Sequence, residues 1–173
     1  MTTIDALVQE LEQEAQTTKR VLERVPDSKL GWKPHDTSMT LGQLALHIAT
    51  TPGGVAEMVQ HDSVPVPEFT QPAASSTAEL ISTLEESVAK AKEVLRGFDD
   101  RTLAATWKVV DGDRELMAMP RIAVLRSIML NHWYHHRGQL SVYLRQLGVP
   151  VPSIYGPSAD ENPFAAQTAA ASV

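Results

Sequence analysis

The chain has 173 residues, 43% of them hydrophobic and 21% charged, with Asp+Glu 21 against Lys+Arg 15 and a formal net charge of -6. That size suits one domain with a real core. The acidic balance argues against a phosphate-backbone partner, and no apolar run is long enough to span a bilayer. Cysteine is absent, which excludes disulfides, thiolate-ligated zinc and a cysteine nucleophile; any sulfur chemistry must use a thiol brought by a ligand. The start, Met1-Thr2-Thr3-Ile4-Asp5, lacks the basic and apolar regions of a secretory signal, so the expected location is the cytoplasm.

A first helix is expected from about Thr3 to Arg24, because Ile4, Leu7, Val8, Leu11, Ala15, Val21 and Leu22 recur at three- and four-residue steps. Glu10, Glu12, Glu14, Lys19, Arg20 and Glu23 are assigned to its outer face, and Pro26 stops it. The connection that follows holds Trp32, expected to anchor the loop to the bundle, and His35, expected to be a loop histidine.

A second helix starts near Ser38 or Thr40, either of which can cap it. Leu41, Leu44, Ala45 and Ile48 mark its buried side, and His47 turns toward the interior or its mouth. Pro52-Gly53-Gly54 predicts a kink or a break. His61, near the expected C-terminal end, is assigned a capping role there. From Asp62 to Ser76, with Pro65, Pro67 and Pro72, the expectation is a long crossover loop, part of which lines a substrate mouth.

A third helix follows from about Thr77 to Phe98, on the stripe Leu80, Ile81, Leu84, Val88, Ala91, Val94 and Leu95. Residues 102–119 do not read as helix; Asp111-Gly112 makes a short hairpin or a plain ordered loop nearly equal alternatives. The fourth helix begins after Pro120 and ends at Gly148-Val149-Pro150. At about 100° per residue, Leu125, Ile128, His132, His136, Gln139 and Tyr143 fall on one stripe. Residues 1–152 are read as the bundle and 153–173 as a tail whose Ile154 and Tyr155 pack back and whose last ten or so residues are disordered.

The chemistry is concentrated in Asn131-His132-Trp133-Tyr134-His135-His136-Arg137-Gly138-Gln139. His132 and His136, four apart on one helix, can share one metal ion, and the third ligand must come from another helix, for which His47 is the candidate. His135 competes as ligand, as base beside the ligands or as an interface residue. Gln139 and Tyr143 can orient a ligand or water, or simply be satisfied buried groups; Asn131 and Gln43 are candidate partners for imidazole N–H groups. Arg137 lies off the stripe and is assigned to the surface or an interface. Three neutral imidazoles suit zinc, nickel or iron(II), and three protein ligands leave a position for water or substrate. There is no phosphate loop, no G-x-S-x-G elbow and no H-E-x-x-H.

Residues 24–35, 41–49, 131–139 and 154–161 together resemble the DinB (damage-inducible) family, and the resemblance covers nearly the whole chain. It implies an all-α four-helix bundle, often dimeric, with a divalent metal held by one histidine of the second helix and two of the fourth, at the positions of His47, His132 and His136. Related bundles include S-transferases that use bacillithiol or mycothiol, and metal-dependent isomerases or hydrolases. The expected function is therefore a metal-dependent enzyme, a thiol S-transferase or a hydrolase of a small molecule, with a low-molecular-weight thiol as one candidate co-substrate. The alternative is a non-enzymatic stress-response protein with a structural or sensory metal. A homodimer is implied by the resemblance alone, and neither a nucleic-acid nor a membrane partner is expected.

Overall fold

The computed structural model describes residues 2–68 and 70–165. Three long helices, α1 (Thr3–Leu22), α2 (Leu41–Met58) and α3 (Thr77–Arg96), pack with a composite fourth. That fourth rod runs through α5 (Arg121–Val124), a π-helical segment (Leu125–Asn131) and α6 (His132–Gln146). A short helix, α4 (Asp100–Ala104), and a small sheet of β1 (Ser63–Pro65), β2 (Thr106–Asp111) and β3 (Arg114–Pro120) complete the fold. The core joins all four rods through side chains such as Leu11, Leu22, Leu44, Ile48, Leu80, Leu95, Leu125 and Leu140.

The helix starts follow the sequence chemistry. Thr2 with Asp5 and Thr40 with Gln43 form reciprocal capping boxes for α1 and α2, and Ser76 caps α3. Between the two candidates for the second cap, Thr40 is therefore the one used. Asp99 caps α4, a helix the sequence reading missed because five residues are too few to show a period.

An all-α fold is not strictly what forms. The hairpin is present, with Gly112 at φ 59 as the first of its two turn residues. Part of the expected crossover loop also becomes a strand: β1 pairs in parallel with β2, Val64 opposite Val109. Two short segments far apart in sequence carry no joint signal until the sheet brings them together.

Of the kink or break expected at Pro52, the break does not occur; α2 runs through it. Proline removes the N–H that the Ile48 carbonyl would have accepted. The buried Trp133 indole supplies the replacement, donating to that carbonyl at 2.9 Å. At the next residue, the Gly53 N–H donates to Ser87 Oγ at 2.8 Å, and a Cβ at Gly53 would sit 2.9 Å from the Ser87 carbonyl oxygen. The glycine thus allows α2 and α3 to touch backbone to backbone where the proline has disturbed the ladder.

The C-terminal end of α2 is capped by other residues than expected. Arg121, 4% exposed, donates to the Val59 carbonyl at 2.8 Å and the His61 carbonyl at 3.0 Å, while the Trp107 indole donates to the Met58 carbonyl. The cation favoured by the helix dipole is thus Arg121, and His61 supplies only an accepting carbonyl.

The largest correction concerns Arg137, expected at the surface or an interface, which is 1% exposed within the bundle. Its guanidinium pairs with Glu14 at 2.6 Å, donates to Thr18 Oγ1 at 3.1 Å and to the Tyr155 hydroxyl, and lies 5.3 Å from the Tyr134 ring centroid. Glu10 accepts from the Tyr134 hydroxyl and pairs with Arg126. Glu10 and Glu14, four apart, therefore form a second inward face of α1 turned to α6.

The tail returns to the bundle: Tyr155 reaches Glu14 and Arg137, Asp160 accepts from the Val151 N–H and Arg145, and Glu161 pairs with Arg20. Of the tail expected to be disordered, residues 166–173 lie outside the described residues. Trp32 also behaves as expected, its ring meeting Tyr143 edge-on at 5.6 Å, and His35 stays in its exposed loop beside Thr37. Among the described residues no helix is long and apolar enough to cross a membrane.

Candidate metal centre

His47 stands on α2 one turn before Pro52, and His132 and His136 stand one turn apart on α6. Their rings converge. Centroids are 5.2 Å apart for His47 and His132, 4.7 Å for His47 and His136, and 4.4 Å for His132 and His136. One ring nitrogen from each lies within 4.8 Å of the others, and the Nε2 atoms of His47 and His132 are 2.9 Å apart. Two imidazoles on one tetrahedral zinc place their nitrogens about 3.3 Å apart, so the donor set fits an ion after a small adjustment.

The π-helical segment delivers His132 to this point. The His132 N–H bonds to the Ser127 carbonyl, five residues back, so the α-helical register resumes at the histidine itself. The uniform 100° projection does not hold between Leu125 and His132. It does hold between His132 and His136, which both belong to α6. The sequence offered no Gly or Pro in this segment to signal the insertion.

Tautomer and charge suit a cation. His136 Nδ1 is 2.7 Å from Gln139 Oε1, so the N–H donates there and the Nε2 lone pair is left for the cluster. Burial pulls the His136 pKa down to about 4, with the other imidazoles adding to the effect. Burial, and then His132, lowers His47; burial, and then His135, lowers His132. All three are thus neutral at pH 7 and able to donate lone pairs.

A pH dependence follows. Because the folded imidazoles bind protons more weakly than the unfolded reference near 6.5, protons compete for the site only at lower pH. Metal affinity should be nearly level from pH 8 to 6.5 and fall as pH drops toward about 4, the His136 value. The metal-free fold should lose stability over the same window, since the unfolded chain takes up protons first. Chelator-competition titrations across pH check this; a steep loss of affinity between pH 8 and 6.5 would contradict it.

The other candidates divide. Gln139 is brought into contact with His136. His135 is exposed, with its ring 5.1 Å from His136, and lies outside the three-ring group. Tyr143 is drawn off, its hydroxyl donating to the Met39 carbonyl. Gln43 spends its amide on the Thr40 cap and on the Gln71 carbonyl, pinning the crossover loop rather than an imidazole. Asn131 is exposed at the end of the π-helical segment.

Two cavities meet at the histidines. The larger, about 550 Å³, lies between α2, the π-helical segment and the sheet, and is walled by Val55, Met58, Trp107, Val109, Met117 and Ile128. The smaller, about 260 Å³, opens beside Gln43, Thr70, Gln71 and Pro72 of the crossover loop. His47 and His132 border both, and His136 borders the smaller.

The model of the DinB family matches residues 1–167. The chain belongs to the DinB family. Among relatives of this family member, the uncharacterized protein YrdA of Bacillus subtilis strain 168 is 28% identical over 165 residues, covering 92% of each chain. A DinB-like protein of Bacillus cereus ATCC 10987 superposes with a TM-score of 0.69 at 25% identity, covering 87% of this chain and 97% of its own. YfiT of Bacillus subtilis, described as a probable metal-dependent hydrolase with an unusual four-helix bundle topology, superposes at 0.65 with 16% identity, covering 86% and 90%. At that identity the YfiT match speaks for the fold alone.

Proposed function

We propose that this DinB protein is a metal-dependent enzyme acting on a small molecule, either as a thiol S-transferase or as a hydrolase, with His47, His132 and His136 as the metal ligands. The observation that carries this is the donor set: three neutral imidazoles, and no carboxylate in the group, at the junction of two cavities. A site closed by protein on all sides would suit a structural ion; three ligands facing open space suit chemistry. When bound there, a divalent ion lowers the pKa of a water or thiol and so supplies the nucleophile near neutral pH. Zinc, nickel and iron(II) are the ions this nitrogen set suits.

The chain's own residues do the positioning. Gln139 holds the His136 ring in one tautomer. Trp133, through the Ile48 carbonyl, ties α6 to α2 and so fixes the distance from His132 to His47. Trp107, Val109 and Ile128 give the large-cavity side an apolar wall.

Cobalt(II) substitution tests the reading. A transferase should show new thiolate-to-cobalt bands on titration with a low-molecular-weight thiol. A hydrolase should show no thiol response and a pH-dependent shift from bound water to hydroxide. Cobalt bands that respond to neither, with a large rise in melting temperature on loading, would overturn the enzymatic reading in favour of a structural or sensory ion.

A further inference from the structure

The larger cavity has a chemical character that the histidines alone do not suggest. Among the described residues, its lining contains no Asp, Glu, Lys or Arg. Apart from the two histidines, Thr50 and Thr51 are the hydroxyl-bearing residues, and both side chains are turned back onto α2. Thr50 Oγ1 donates to the Leu46 carbonyl at 3.0 Å and Thr51 Oγ1 to the His47 carbonyl at 2.6 Å. The remaining wall is aliphatic, thioether and indole. The Trp107 indole N–H is likewise spent, on the Met58 carbonyl. A volume of about 550 Å³ falls within the range of sites that enclose a drug-sized molecule. Leu116, Met117 and Val66, on the sheet side of the lining, are large apolar residues left 45%, 38% and 47% exposed.

We infer that this cavity binds the uncharged, apolar body of the substrate and directs one end of it at His47 and His132. The smaller opening beside Gln43, Thr70 and His136 is then the entrance for the polar co-reactant, water or thiol. Binding in the cavity is a property of its own walls; its meaning as a substrate site rests on the metal-dependent reaction proposed above. A charged or strongly hydrogen-bonding body is disfavoured because the walls offer it no partner and its desolvation would go uncompensated.

Gly54 provides the test. It lines the cavity from α2, and a Cβ built on it meets nothing within 4 Å. Gly54→Leu therefore puts a side chain into open space, with its Cβ more than 4 Å from any histidine, and replaces glycine in a helix with a good helix former. Leu116→Glu is a second variant, at a position exposed enough to accept a carboxylate without unfolding. The probes are two fluorophores of similar size, the neutral naphthyl ketone prodan and a sulfonated anilinonaphthalene, each titrated into metal-depleted and cobalt-loaded protein.

Prodan should bind both forms with a blue-shifted emission. Each variant should weaken it about tenfold or more, the contact of roughly two buried methylene groups, with the cobalt spectrum unchanged. The sulfonated probe should bind about tenfold or more weakly than prodan. Equal prodan affinity in Gly54→Leu and the unaltered protein, or a sulfonated probe as tight as prodan, would overturn the inference. Prodan binding that keeps this pattern in protein that takes up no cobalt would uphold the cavity and overturn the metal reading alone.

Discussion

Replacing Arg137 with Ala should lower the stability of the protein by about 3–5 kcal/mol, the usual consequence of breaking a buried ion pair from one side. The guanidinium is 1% exposed, and its partner Glu14 has a side chain 12% exposed. Removing the cation leaves the Glu14 carboxylate and the Thr18 hydroxyl without it, and two aromatic rings, Tyr134 and Tyr155, without the cation they flank. In a protein of this size each kcal/mol moves the melting temperature by about 2–4 °C, so thermal and urea unfolding both resolve the change. The double replacement Glu14→Gln, Arg137→Met should recover most of the loss, because it removes both charges together. A cost below about 1 kcal/mol, the range of an exposed pair, would mean that the α1–α6 seam is held by its apolar contacts alone.

The second large effect is on metal affinity. His136→Ala should reduce it about a thousandfold or more. It removes one of the three donors of the proposed site, a set that among the described residues has no carboxylate to take its place. Gln139→Ala should cost about 10–100-fold, the range for a partner that only fixes the tautomer and direction of a ligand ring. His135→Ala should change affinity little, since its ring lies outside the group. Competition against a chromophoric chelator reads all three. An order in which His135 matters more than His136 would move the site one residue along α6 and undo the geometry described above.

The site was more legible in the sequence than the elements around it, for a physical reason. His132 and His136 lie within one uninterrupted stretch of α-helix, so their relation depends on local periodicity alone. His47 was placed by the quadrant of α2 that it shares with Thr40, Leu44 and Thr51, of which Leu44 is fully buried. The sheet was half legible. Asp111-Gly112 marked the hairpin through its turn chemistry, whereas β1 exists only by pairing with β2 more than forty residues later. Arg137 was misread because a charged residue off the apolar stripe is assigned to solvent by default. The signal lay in the partner element: Glu10 and Glu14 on one face of α1 match Tyr134 and Arg137 on α6. The choice between a kinked and a broken α2 at Pro52 stayed open for a similar reason, since the donor that repairs the ladder, Trp133, comes from another helix.

The central claim is that His47, His132 and His136 hold one divalent ion. Its most direct test is metal content by plasma mass spectrometry on untagged protein and on the His132→Ala variant, before and after reconstitution with zinc, nickel and iron(II). The account predicts about one ion per chain, lost in the variant while the fold is kept. No metal in either protein after reconstitution would contradict it and leave the three rings as a packed histidine cluster.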